Sequence, residues 1–182
     1  MLALPEQIRS FISIALDPMV AREVSRLQRR LAEALPRETV RWIPVEQLHL
    51  TLKFLGNIPG SAVEELSSIL RAIGEQHSPL HLRAEGLGCF PSARNPRVLW
   101  IGLQGDLGEL EQLQEAIERV SSRWVEKEES RRFSPHLTIG RVRENAWREA
   151  RQIGAALEAS AASALGSDRK STRLNSSHDQ SS

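Results

Sequence analysis

Two short stretches hold the residue types that acid–base chemistry needs: "LHLTLKFLG" from Leu48 to Gly56, and "PHLTIGRVR" from Pro135 to Arg143. Each contains His-Leu-Thr followed by Leu or Ile, and His49 and His136 stand 87 positions apart in a chain with five histidines. An imidazole has an unperturbed pKa near ~6.5, so at neutral pH it can serve as base or as acid. Two of them on opposite sides of a phosphorus atom suit an in-line displacement. One takes a proton from the attacking oxygen, and the other gives one to the leaving oxygen. The hydroxyls of Thr51 and Thr138 can donate to the non-bridging oxygens, where charge must be held. Neither step asks for a metal. Two histidines with no Cys, Asp or Glu at ligand spacing also fall short of the protein ligands a catalytic zinc site uses.

Strands must carry these residues, because apolar residues alternate with polar ones around them. Strict alternation puts His49, Thr51 and Lys53 on one face, with Leu50, Leu52 and Phe54 on the other. In the second copy His136 and Thr138 share a face opposite Leu137 and Ile139. Arg141 then points away from Thr138, unless the strand ends or bulges near Gly140.

The remaining elements follow from period and punctuation. "IRSFISIAL" is a strand, and Asp17-Pro18 starts a helix with Val20, Val24, Leu27, Leu31 and Leu35 at helical spacing, ended by Pro36. "VRWIP" is a short strand and "EQLHLTLKFLG" a longer one. A loop through Gly56-Asn57 and Pro59-Gly60 leads to a helix with Val63, Leu66, Ile69, Leu70 and Ile73 on its apolar face. Two strands, "PLHLRAEGLGCF" and "RVLWIGLQG", flank the loop "PSARNP". A helix from Asp106 to about Val125, the strand "HLTIGRV" and a helix from about Asn145 to Ala159 complete the order. The pattern predicts an α+β fold: two antiparallel sheet/helix lobes related by a pseudo-twofold, with a central groove. A strand is expected after "ASALGS".

In its place stands "DRKSTRLNSSHDQSS", Asp168 to Ser182. Its first eleven residues read as the in-frame translation of a sequencing-library adapter. The expectation is a single bilobal domain over 1–167, lacking its C-terminal strand or strands, and a non-native tail over 168–182. That tail holds three of the 24 basic and two of the 23 acidic residues, so the rest of the chain is balanced. Global charge therefore says nothing about nucleic acid. The composition, 40% hydrophobic and 26% charged, is that of an ordinary globular protein. No apolar run approaches a membrane span, the N-terminus lacks a basic signal-peptide start, and the single Cys89 fits a reducing compartment. A cytoplasmic address is expected.

With "RWIPVEQLHLTLKFLG", "FP…PRVLWIGL" and "FSPHLTIGR" together, the chain resembles the two-histidine (2H) phosphoesterases. Within them it is similar to the RNA 2′,3′-cyclic phosphodiesterases, also called 2′-5′ RNA ligases, over about Ile8 to Leu165. The resemblance implies a bilobal fold with both motifs in one groove. It also implies metal-free, cofactor-free opening of a 2′,3′-cyclic phosphate on RNA to a 2′-phosphate. His49 would be the proton donor to the leaving 3′ oxygen and His136 the proton acceptor from water, with Thr51 and Thr138 holding the phosphate.

Other residues carry less. Arg131, Arg132, Arg141 and Arg143 cluster near the second motif, with Lys53 near the first and Arg94 and Arg97 around "PSARNP". Of these, Lys53 and Arg141 are the candidates for substrate phosphate. Phe54 is a candidate base-stacking residue, although alternation makes it core. Trp42 and Trp100 read as packing anchors. Four Phe, four Trp and no Tyr favour recognition of an RNA end over coating of a long strand. The competing functions are a 2H enzyme for a small cyclic nucleotide or a 2′-5′ linkage, including reversible ligation, and an inactive RNA-binding or misfolded fragment. A monomer is expected.

Overall fold

Alternating isoleucines make β1 (Gln7–Ala15), and Asp17 stops it. The Asp17 carboxylate accepts the Met19 N–H at 2.7 Å and Pro18 occupies the first turn, so α1 (Pro18–Ala34) begins where capping predicts. There follow β2 (Val40–Trp42), a 3-10 turn at Val45–Gln47, β3 (His49–Pro59) and α2 (Ala62–Gln76). Next come β4 (Leu82–Ser92), β5 (Asn95–Gly105), α3 (Leu107–Ser121), β6 (His136–Val142) and α4 (Ala150–Ala164). This computed structural model describes residues 6–125 and 132–164. Arg131, the strand expected after Ser167 and the tail from Asp168 lie outside the described residues. Among the described residues no helix is long and apolar enough to cross a membrane.

Three expected boundaries move. β3 runs on through Gly56-Asn57 because Gly56, at φ +72°, takes up a bulge instead of a turn. The loop "PSARNP" shrinks to a turn at Ala93-Arg94, since Ser92 pairs with Asn95 and closes a hairpin. α4 starts after 3-10 turns over Glu144–Glu149, where Ala146 (φ −96°, ψ 23°) interrupts the helix expected from Asn145.

The strands form one antiparallel sheet in the order β1-β3-β6-β5-β4, with β2 also on β6. The expected two lobes are the halves of this sheet. They join at β3 and β6, whose ladder has a single rung, Leu50 to Leu137. β2 lies on the same edge of β6, further along. One apolar core unites the sheet's inner face with the helices, through Leu50, Leu52, Leu99, Leu137 and Ile139 against Val20, Leu31, Leu66, Ile117 and Ile153. Cys89 lies on that side, where burial, then the charge of Glu158, push its thiol pKa up. Gln28 of α1 donates at 2.8 Å to the carbonyls of both Ile43 and Ile139, tying α1 to the sheet.

The offset of 87 extends beyond the motifs. Ser13 pairs with Thr51 as Trp100 pairs with Thr138, and Phe11 pairs with Phe54 as Val98 pairs with Arg141. Buried Leu66 of α2 and Ile153 of α4 are also 87 apart. So β1-α1-β3-α2 and β5-α3-β6-α4 are two copies of one unit, and β2 and β4 are additions.

Both copies bulge at the same place. Leu52 is the extra residue where β3 meets β1, and Ile139 is its counterpart where β6 meets β5. A bulge breaks two-residue alternation. The expectation that Lys53 shares the face of His49 is therefore corrected: Lys53 follows Leu52 onto the core side. There it is buried and ion-paired with Glu118 of α3, whose other oxygen accepts from Gln114 at 3.3 Å. Phe54, expected in the core, comes out on the open side, 56% exposed.

Two stability outcomes follow. Leu137→Ala, at a position with no exposure, should cost about 2–5 kcal/mol in urea unfolding. The ion pair should be asymmetric, because the Lys53 side chain is 3% exposed and that of Glu118 38%. Glu118→Gln strands a buried ammonium and should cost about 3 kcal/mol or more, whereas Lys53→Met leaves a carboxylate that can reach water and should cost about 1 kcal/mol or less. Equal costs would contradict this.

Candidate active site

The Leu50–Leu137 rung sits on a local twofold axis, since it pairs the same position of the two motifs. Antiparallel register around it sets His49 towards Thr138 and His136 towards Thr51. In a flat continuation the two histidines are diagonal neighbours, their Cα atoms roughly 7–8 Å apart. The ladder between β3 and β6 has no second rung, so no backbone pairing continues between the two histidine-bearing segments. Leu50 and Leu137 point into the core at 1% and 0% exposure, which turns His49, Thr51, His136 and Thr138 outward, all four part-exposed.

Both rings are held alike. His49 Nδ1 lies 2.7 Å from the carbonyl oxygen of Gln47, and His136 Nδ1 lies 2.6 Å from that of Ser134. A carbonyl can only accept, so each Nδ1 carries the hydrogen and donates it. That assignment leaves Nε2 as the working atom of each ring: an acceptor when the ring is neutral, a donor when it is charged. The two acceptor residues are again 87 apart. The pair can therefore hold opposite protonation states with the same geometry, as one base and one acid require.

The bulge at Ile139 brings Arg141 onto the open face, the alternative that strict alternation excluded. Arg141 is exposed and occupies, in the second copy, the place that Phe54 holds in the first. Of the residues singled out from the sequence, His49, Thr51, Phe54, His136, Thr138 and Arg141 thus share one face. Lys53 does not.

Aromatic side chains buttress each histidine. Phe11, 47% exposed, stacks on His49 with ring centroids 4.7 Å apart, and lies 6.3 Å from the Phe54 ring. Phe90 meets His136 edge-on at 5.0 Å, and Trp100 lies 6.4 Å away. Trp100, expected as a packing anchor, packs over Gly88 on the open face; a Cβ on Gly88 would fall 2.2 Å from the indole. The Trp100 indole N–H is buried without an acceptor among the described residues. Trp42 does anchor the core side, against Gly140. Sequence reasoning missed Phe11 and Phe90, because their partners lie on other strands. Applying the 87-residue offset outside the motifs would have drawn attention to β1, since it maps Ser13 onto Trp100. Among the described residues no three His, Cys, Asp or Glu side chains cluster as metal ligands would.

Comparison with known proteins agrees with this geometry. The LigT like Phosphoesterase family model matches residues 14–100, which include the His49 motif. The RNA 2′,3′-cyclic phosphodiesterase of Aeropyrum pernix is 33% identical over 126 residues, covering 69% of this chain and 68% of that protein. The enzyme of the same name from Aquifex aeolicus is 27% identical over 138 residues, covering 75% of this chain and 71% of that one. Among solved structures, E. coli LigT complexed with 3′-AMP superposes with a TM-score of 0.60 at 27% identity, covering 75% of this chain and 74% of that one. A tandem unit, a twofold pair of His-x-Thr strands and relatives of this closeness agree: the chain belongs to the LigT-like family of 2H phosphoesterases.

Proposed function

We propose that the chain hydrolyses RNA 2′,3′-cyclic phosphate ends to 2′-phosphates, with the two histidines as its acid and base and no metal. The observation that carries this is the matched pair of imidazoles, each with Nδ1–H fixed to a backbone carbonyl and Nε2 without a partner among the described residues. The curated relatives' shared activity supports the substrate class.

In the proposed reaction a water oxygen attacks phosphorus in line with the bond to the 3′ oxygen. His136 Nε2 takes the water proton as the P–O bond forms. His49 Nε2 gives its proton to the 3′ oxygen as that bond breaks, leaving the phosphate on the 2′ oxygen. The net change is addition of one water. Thr51 and Thr138 donate to the non-bridging oxygens, and Arg141 adds a positive charge to the same face. Phe11 and Phe54 offer an exposed apolar face for the terminal base, where stacking is worth about 1–3 kcal/mol.

The test is hydrolysis of a short RNA ending in a 2′,3′-cyclic phosphate, with EDTA present. A 2′-phosphate product is expected, with a bell-shaped pH profile because one histidine must be neutral and the other charged. His49→Ala and His136→Ala should each slow the reaction by about 10²–10⁴-fold without loss of folding. Wild-type rates in either variant would refute the mechanism, and a 3′-phosphate product would refute the regiochemistry.

A further inference from the structure

Arg41, the middle residue of β2, is the cross-strand partner of Arg141. Directly opposed residues of an antiparallel pair project from the same face, with Cα atoms about 5 Å apart. Here that is the open face, because Val40 and Trp42, the neighbours of Arg41, press on the Gly140 position from the core side. Both arginines are exposed. The backbone around them is bonded at both ends: Ile43 N–H donates to Ile139 at 3.0 Å, and Arg143 N–H donates to Thr39 at 2.8 Å. The two Cα atoms therefore cannot separate without opening the ladder, and both guanidinium groups start from adjacent points on one face.

Like charges directly opposite one another destabilise a sheet. Neighbouring carboxylates usually relieve such a pair, yet among the described residues neither guanidinium has one as a partner. The juxtaposition lies on the face of Thr138 and His136, just past the Ile139 bulge. Two planar forks side by side match the oxygens of one phosphate.

We propose that Arg41 and Arg141 act together as a clamp for a phosphate of the RNA, which makes Arg41 a substrate-binding residue of this site. This rests on the function proposed above. The phosphate is either the reacting cyclic group or the phosphodiester next to it, and both present the same oxygens.

The test measures kcat/KM for the wild type, Arg41→Gln, Arg141→Gln and the double variant. Two substrates are used: adenosine 2′,3′-cyclic phosphate and a short RNA with the same end. Arg41→Gln should lose roughly tenfold or more on the RNA, and the double variant should lose less than the product of the two single losses. Its Tm should hold or rise, since a repulsion is removed. Equal loss on the mononucleotide assigns the clamp to the reacting phosphate, and loss on RNA alone assigns it to the neighbouring phosphodiester. Unchanged kcat/KM on both substrates overturns the clamp, as does a loss accompanied by a matching fall in Tm. If the wild type hydrolyses neither substrate, the proposed function fails by itself. The clamp is then judged by inorganic phosphate, which must raise the Tm of the wild type more than that of Arg41→Gln; an equal rise overturns it.

Discussion

One backbone rung between two buried leucines organises this molecule. Leu50 and Leu137 pair where the halves of the sheet meet, and both are sealed in the core. Because the rung joins the same position of two copies, whatever flanks it appears twice around a local axis. Burying the leucines turns the residues on either side outward by the pleat alone. The four helices need only cover the inner face; they do not shape the site directly. Gln28 makes a polar connection from α1 to this region, donating to the carbonyl of the bulged Ile139.

The second constraint is the repeated bulge. A regular strand would alternate His, Leu, Thr, Leu and then put Lys53 outside and Phe54 inside. One extra residue in each copy reverses that order after the threonine. Lys53 then serves to hold α3, while Phe54 and Arg141 join the open face. A bulge interrupts the ladder locally, and here that interruption is what lets a histidine, a threonine and a third side chain share one side of a strand.

How much of this could be read beforehand depends on the range of the interaction. The Asp17-Pro18 start of α1 is local, so it is legible. The outward pair of His and Thr is local too, and so is the core position of Leu50 and Leu137. Lys53 and Phe54 were misplaced because a bulge is a property of a strand against its neighbour, and β1 is about forty residues away in sequence. Phe11 against His49 and Arg41 against Arg141 are long-range for the same reason. Only the register reveals them. The duplication itself was visible in four residues, and its extent became clear once Trp100 and Ser13 occupied matching rungs.

The twofold has a consequence for direction. Around the axis the imidazoles, hydroxyls and supporting carbonyls are interchangeable, so nothing in that inner ring tells a substrate which way to lie. Polarity enters one layer out, where the copies differ: Phe54 against Arg141, and Ser13 against Trp100. A ligand with a flat apolar end and a charged end can satisfy those differences in one orientation only. In the proposed reaction, which histidine gives a proton and which receives it is thus decided by residues that never exchange one, and a repeat identical in both halves would be a site without a front or a back.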